Sequence, residues 1–198
     1  LEFRRVLFRS DEEGEGDVDL AIACHPDIYH CRMGIAPEAP VFDGEPSELG
    51  RKYPKDAIYN AACTGTFFIH DPAITDQSLL QLAYAMGMVF VPVKQGYAKC
   101  GTVIVDEQSV ITADEGIASA CEKAGLAVLR VSRGHVKLEG YKYGFLGGAS
   151  GRIGDEVIFH GDLSAHPDFE NIKEFIEKRE LTVKWFPEFP LIDIGTIL

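Results

Sequence analysis

A cysteine thiol is the strongest candidate for a catalytic group in this sequence. Cys100 follows Lys99 at the start of a predicted strand, where a neighbouring ammonium would lower the pKa of the thiol and favour the nucleophilic thiolate. His25 is the candidate proton carrier for such a thiol. The alternative is a small buried thiol at the start of a hairpin, and the residues alone leave both interpretations open.

Four possible zinc ligands, Cys24, His25, His30 and Cys31, occur close together in the sequence. Their spacing is not that of the usual zinc pairs, and adjacent ligands rarely converge on one tetrahedral ion. We therefore predict no metal. We also predict no cofactor, because the glycine-rich stretch at 144–154 precedes a strand, whereas a phosphate cradle precedes a helix.

Polar residues at predicted strand edges are the candidate ligand-binding groups. Asn60, Lys99, Ser150 and Asp193 each stand at the edge of a separate strand, beside a glycine or another small residue. If these edges converge, they form a polar pocket with a carboxylate and an ammonium; alternatively, the side chains cap strands. Asp193 interrupts the apolar alternation of the last strand just before Gly195, so Asp193 is the predicted anchor of a cationic ligand.

A repeat of ββαβ units is predicted to position these residues. Its clearest copy has β-branched runs at 102–105 and 109–112, a helix between Asp114 and Gly125, and a strand at 126–131. The same order recurs upstream and downstream, which is typical of a repeat architecture.

The repeat predicts an α/β fold with helices near 76–86, 115–124 and 167–179. Because one such unit cannot bury its own sheet, the units are expected to pack around a shared axis with the helices outside, as a propeller-like array. An ordinary doubly wound α/β sheet is the alternative, although the Gly-x-Gly-x-x-Gly fingerprint is absent from the expected position. The segment 34–55, rich in proline, glycine and acids, is predicted to be a surface loop.

Composition and charge narrow the possible partners. The chain has 198 residues with 46% hydrophobic content, and its formal net charge of -12 repels phosphate backbones and anionic lipids. We therefore expect a small-molecule ligand, no nucleic acid and no membrane, and we leave the oligomeric state open. The five cysteines are irregularly spaced, which favours free thiols in a reducing compartment and predicts a cytoplasmic location.

The beginning of the chain differs in character from the rest. Residues 1–10 resemble the translated read-through of a sequencing adapter and are expected not to be native. Residues 11–17 form an acidic lead-in that we expect to be disordered. The predicted single domain covers residues 18–198 as a fragment, with an N-terminal portion missing.

Several sequence blocks resemble a bacterial domain family assigned to the guanidino-group-modifying-enzyme fold. The blocks are HPD at 25–27, YPKDAIYN at 53–60, KQGYAKC at 94–100, YGFLGGASG at 143–151 and LIDIGTI at 191–197. Arginine deiminase, dimethylargininase and agmatine deiminase share this amidinotransferase-like fold. The resemblance implies a pseudo-fivefold α/β propeller of ββαβ units, incomplete in this chain.

In the enzymes of that fold, the resemblance implies, a cysteine near the C-terminus attacks the guanidinium carbon, a histidine moves protons and carboxylates hold the guanidinium. No cysteine follows Cys121 in this chain, so the usual late nucleophile is absent. Two hypotheses follow. In the first, the domain binds or acts on a small cationic guanidino or amidino metabolite held by Asp27 and Asp193, with Cys100 and His25 available for cleavage or transfer at a C–N bond. In the second, it is a non-catalytic ligand-binding or scaffolding domain.

Overall fold

The computed structural model of the chain describes residues 22–198. The predictions for residues 1–17, and for the start of the domain at residue 18, concern a region that lies outside the described residues. The described part is a mixed α/β structure whose strands form one two-stranded and three three-stranded sheets. Within it, no helix combines the length and the apolar content needed to cross a bilayer.

The two-stranded sheet comes first. A short helix α1 (Pro26–Tyr29) leads into β1 (His30–Arg32), which pairs antiparallel with β2 (Val41–Asp43). The prediction of a loop over 34–55 is therefore wrong at β2. Phe42 of β2 packs against the ring of Tyr59, a contact distant in sequence that the local composition does not reveal.

The first ββαβ unit lies between residues 62 and 92. It contains β3 (Ala62–Cys63), β4 (Phe67–His70), α2 (Gln77–Ala85) and β5 (Val89–Pro92). The central strand β4 pairs antiparallel with β3 and parallel with β5. Helix α2 begins where the carboxylate of Asp76 accepts hydrogen bonds from the backbone N–H groups of the first turn, which otherwise have no intrahelical partner.

The second unit repeats this topology. It contains β6 (Thr102–Asp106), β7 (Ser109–Thr112), α3 (Glu115–Ala124) and β8 (Ala127–Arg130), with β7 in the centre of the sheet. Helix α3 ends at Gly125, whose φ of 96° lies in the left-handed region that favours glycine. The strands, the helix and both helix ends agree with the sequence prediction.

The third unit follows the same order once more. It contains β9 (Ser150–Ile153), β10 (Glu156–Phe159), α4 (Phe169–Glu177) and β11 (Thr182–Lys184). The central strand β10 pairs antiparallel with β9 and parallel with β11. The three predicted helices are therefore confirmed. A single doubly wound sheet, the alternative, does not occur in the described part, whose strands belong to four separate sheets.

Successive units are joined through their first strands. β1 contacts β3, β3 contacts β6 and β6 contacts β9. Helices α3 and α4 pack against strands through buried apolar faces, such as Ile117 with Cys121 and Ile172 with Ile176. The beginnings of the first strands therefore lie in neighbouring positions, and the predicted site residues stand at those beginnings.

Candidate functional site

The structure brings most of the predicted site residues to the beginnings of the first strands. Asn60 precedes β3, Cys100 precedes β6, and His25 and Asp27 lie at the start of α1 before β1. Asp193 comes from the terminal segment, whose backbone pairs with residues 137 and 148. Each of these side chains is buried. We call His25, Asp27, Asn60, Cys100 and Asp193 the polar cluster.

Asp27, Asn60 and Cys100 form the hydrogen-bonded centre of the polar cluster. The Cys100 thiol donates to Asp27 Oδ2 at 2.7 Å, and Asn60 Nδ2 donates to the same oxygen. Asn60 Nδ2 also lies 3.4 Å from Cys100 Sγ. The other amide atom, Asn60 Oδ1, accepts the backbone N–H groups of Lys99 and Cys100 at 2.8 and 3.3 Å. Asn60 therefore fixes the chain that carries the thiol.

Asp27 Oδ1 is in a different situation from Asp27 Oδ2. It is buried, and it has no hydrogen-bond partner among the described residues. It lies against Gly195, where an added Cβ would overlap with it. A buried carboxylate oxygen without a donor is costly, because its hydration is lost and not replaced.

Asp193, in contrast, has partners for both oxygens. Asp193 Oδ2 accepts the backbone N–H of Phe145 at 2.8 Å, and Oδ1 accepts that of Gly195 at 2.9 Å. His25 Nδ1 lies 3.9 Å from Oδ1. Burial raises the pKa of Asp193, and the nearby charge of Asp27 adds to this rise against the lowering effect of the two hydrogen bonds.

Two other predicted ligand residues lie beside the polar cluster and not within it. The Lys99 ammonium donates to the carbonyl oxygen of Gly147 at 3.0 Å, and Ser150 Oγ donates to the same oxygen at 3.1 Å. Lys99 forms no ion pair with Asp193 among the described contacts. The structure therefore brings Lys99 and Ser150 together at a backbone carbonyl.

The surroundings of Cys100 do not favour its expected activation by Lys99. Burial raises the pKa of the Cys100 thiol well above its usual value, and the charges of Asp27 and Asp193 raise it further. Burial likewise lowers the pKa of Lys99. Two carboxylates and a buried environment thus oppose formation of the thiolate.

The four possible zinc ligands near residue 25 diverge in the structure. Cys24 is exposed, Cys31 lies 3.6 Å from the sulfur of Cys63, and His30 contacts Asp43 at 2.8 Å. His25 faces Asp193 instead. Within residues 22–198, no three His, Cys, Asp or Glu side chains are grouped so that they could hold a metal ion.

Sequence reasoning missed the groups that hold Asp193. These are two backbone N–H donors, and the glycines at 144 and 148 make room for the carboxylate, because a Cβ at either position would overlap with Asp193. The glycine-rich block was the available signal, since glycine permits close approach of the backbone to another group. The sequence does not show what approaches it.

The thiols should differ strongly in reactivity. Of the five free cysteines, Cys24 is exposed, and burial raises the pKa of Cys63, Cys100 and Cys121, the last to about 12. We expect iodoacetamide at pH 7.5 to modify Cys24 rapidly and the four buried thiols slowly, with five thiols reacting in denaturant. Peptide mass mapping over time measures this order. Fast modification of Cys100 would contradict the buried, neutral thiol described above.

Comparison with solved structures gives distant matches to C. jejuni agmatine deiminase. One chain has 10% identity and a TM-score of 0.42, over 60% of this chain and 45% of that enzyme. A Cys-to-Ser variant with substrate bound has 10% identity and a TM-score of 0.38, over 58% of this chain and 41% of that one. The chain thus spans less than half the length of these enzymes. No curated protein matches it.

Most of the chain matches the model of one protein family. The match covers residues 38–198, which include the three ββαβ units together with Asn60, Cys100 and Asp193. His25 and Asp27 precede the matched region. The chain belongs to DUF6873, a family of unknown function.

Proposed function

We propose that the polar cluster binds a small cationic metabolite whose guanidinium, amidinium or ammonium group is held by Asp27. The observation that carries this proposal is the buried oxygen Asp27 Oδ1, which has no donor among the described residues. A cationic N–H group would supply both the missing hydrogen bond and a positive charge. Charge-assisted hydrogen bonds of this kind are about twice as strong as neutral ones.

The charge balance of the cluster supports the same ligand class. Asp27 and Asp193 are close enough for the charge of one to raise the pKa of the other. Lys99 directs its ammonium to the Gly147 carbonyl and forms no direct ion pair with either carboxylate in the described part, although the charges of both act on it. A bound cation would reduce this repulsion between carboxylates.

Access to Asp27 Oδ1 requires movement of the terminal segment. Gly195 lies directly against this oxygen, and its backbone N–H is held by Asp193. We propose that the ligand enters when the chain around Gly195 shifts. Asp193 then acts as a positioning residue for that segment, and Asp27 is the carboxylate that touches the ligand.

We further propose that the ββαβ units surround a common axis, as in the α/β propeller of the guanidino-modifying enzymes. The contacts of β1 with β3, β3 with β6 and β6 with β9 support this arrangement.

The choice of a cationic ligand rests on Asp27, and the distant likeness to agmatine deiminase adds no argument to it. The five free thiols favour a reducing compartment such as the cytoplasm.

An enzymatic role for Cys100 is the second candidate function. It is favoured by the contact between the Cys100 thiol and Asp27, since this carboxylate could accept the thiol proton. A cation bound beside Asp27 would lower the pKa of Cys100 by opposing the two carboxylates. Faster alkylation of Cys100 when ligand is present, together with release of ammonia or urea, would support catalysis. Ligand binding without either result would support a non-catalytic ligand-binding domain.

Thermal unfolding of the native chain with charge-matched ligand pairs tests the proposed function. The cations are methylguanidinium, acetamidinium and butylammonium, and their neutral counterparts are methylurea, acetamide and butanol. We expect at least one cation to raise Tm by roughly 5 °C at about 100-fold excess over its Kd, in a saturable way. Neutral counterparts should have no such effect. Equal effects within each pair, or none at all, would contradict the proposal.

A further inference from the structure

A second group of charged side chains surrounds a small cavity near the polar cluster. The cavity has a volume of about 40 Å³, and Arg32, Lys99 and Arg152 contribute to its wall. Its lining contains no Asp or Glu, and neither Asp27 nor Asp193 belongs to it. In a chain with a net charge of -12, this concentration of positive charge needs an explanation.

The three cations have backbone partners only. Arg32 donates to the carbonyls of residues 34 and 36, at 3.1 and 2.9 Å. Arg152 donates to those of residues 154 and 105, at 2.9 and 2.6 Å. Lys99 donates to that of residue 147. None of the three forms an ion pair within the described part of the chain.

Some other basic residues of the described chain are paired with carboxylates instead. Arg130 contacts Glu115 at 3.1 Å, and Arg179 contacts Asp106 at 3.2 Å. The cations at the cavity are half-buried and so are less well hydrated than exposed ones. Carbonyl dipoles and, for Lys99, the charges of Asp27 and Asp193 oppose their mutual repulsion, and an anion between the three cations would reduce it further.

We infer that this cavity binds a small oxyanion, a carboxylate or phosphate group, through Arg32, Lys99 and Arg152. The forked N–H groups of a guanidinium suit the oxygens of a planar carboxylate or a tetrahedral phosphate. Each of the two arginines keeps one terminal nitrogen that the carbonyl bonds above do not use. A volume of about 40 Å³ admits a group of a few heavy atoms. Thr196 is also in the wall, and its hydroxyl contacts the backbone carbonyls of residues 150 and 197 at 3.5 and 3.4 Å.

This oxyanion site is separate from the cation site of the proposed function. Lys99 and Thr196 line the cavity, and their neighbours in the chain, Cys100 and Gly195, contact Asp27. The two sites therefore share chain segments but not side chains. Anion binding can be measured without any cationic ligand, so either proposal can fail without the other.

Calorimetric titration of the native chain with inorganic phosphate and with acetate, at constant ionic strength set by chloride, tests the inference. We expect saturable binding of at least one of the two, weakened at least tenfold in Lys99→Met and in Arg152→Gln. The matched control is Lys184→Met, which removes an exposed lysine paired with Glu156. That variant should bind like the native chain.

Two results would overturn the inference. One is the absence of saturable binding of both anions to the native chain. The other is an equal loss of affinity in Lys184→Met and Arg152→Gln, because that would assign the effect to net charge. If Lys99→Met does not fold, as judged by circular dichroism, Arg152→Gln and Arg32→Gln decide the question. Both arginines are half-buried and bond to backbone carbonyls, so their replacement by Gln should be tolerated.

Discussion

Asp27→Asn is expected to reduce strongly the stabilisation of the chain by cationic ligands while leaving the fold intact. The Asn oxygen can take the place of Asp27 Oδ2 and accept from Cys100 and Asn60. The Asn NH₂ group then occupies the place of the unpartnered Oδ1. The cationic N–H group of the ligand therefore meets a donor where the native chain offers a charged acceptor. A charge-assisted hydrogen bond contributes about 1.5–3 kcal/mol, so affinity should fall by roughly 10- to 150-fold.

Titration calorimetry with the tightest-binding cation measures this loss. Asp162→Asn is the matched control, because it removes one negative charge outside the polar cluster and Asn is as good a helix N-cap as Asp. The control should bind like the native chain. If both variants lose affinity equally, the ligand responds to net charge, and Asp27 does not hold it.

Gly195→Ala should destabilise the chain by about 2–5 kcal/mol. The φ of Gly195 is 87°, in the region that costs an L-residue about 1–2 kcal/mol. The added Cβ would also overlap with Asp27 Oδ1 and lie 2.5 Å from His25 Cβ, and such overpacking typically costs about 1–3 kcal/mol. Urea unfolding at equilibrium gives the free energy of unfolding.

Gly154→Ala separates the two contributions. Gly154 has a φ of 58°, and an added Cβ there meets no atom within 4 Å, so this substitution carries the backbone cost alone. We expect a loss of about 1–2 kcal/mol for Gly154→Ala and a clearly larger loss for Gly195→Ala. Equal losses would mean that Gly195 is not packed against Asp27 and His25.

The repeat was predictable from the sequence because its signals are local. Asp114 and Gly125 mark the ends of α3, and the apolar residues between them follow the helical period. β2 was not predictable in this way. It pairs with β1 across a segment rich in proline and glycine, and its register depends on burial of Phe42 against a residue far along the chain.

The candidate site was predictable as a set of residues but not as a set of contacts. The sequence placed Asn60, Lys99, Ser150 and Asp193 at strand edges and singled out His25, Asp27 and Cys100 on other grounds. The fold brings five of these seven together and leaves Lys99 and Ser150 beside them. Adjacency of Lys99 and Cys100 in the sequence suggested an activated thiol. The two side chains diverge, however, because both residues lie in a turn before β6, where Lys99 reaches the carbonyl of Gly147 and Cys100 faces Asp27.

The carbon NMR signal of the Asp27 side-chain carboxyl tests the central claim most directly. In uniformly ¹³C-labelled chain, the signal is assigned by its absence from Asp27→Asn. On titration with the tightest-binding guanidinium or amidinium ligand, the account predicts that the Asp27 signal shifts in a saturable way, with the midpoint found by calorimetry. An unchanged Asp27 signal at saturation, with shifts confined to exposed carboxylates, would contradict the account.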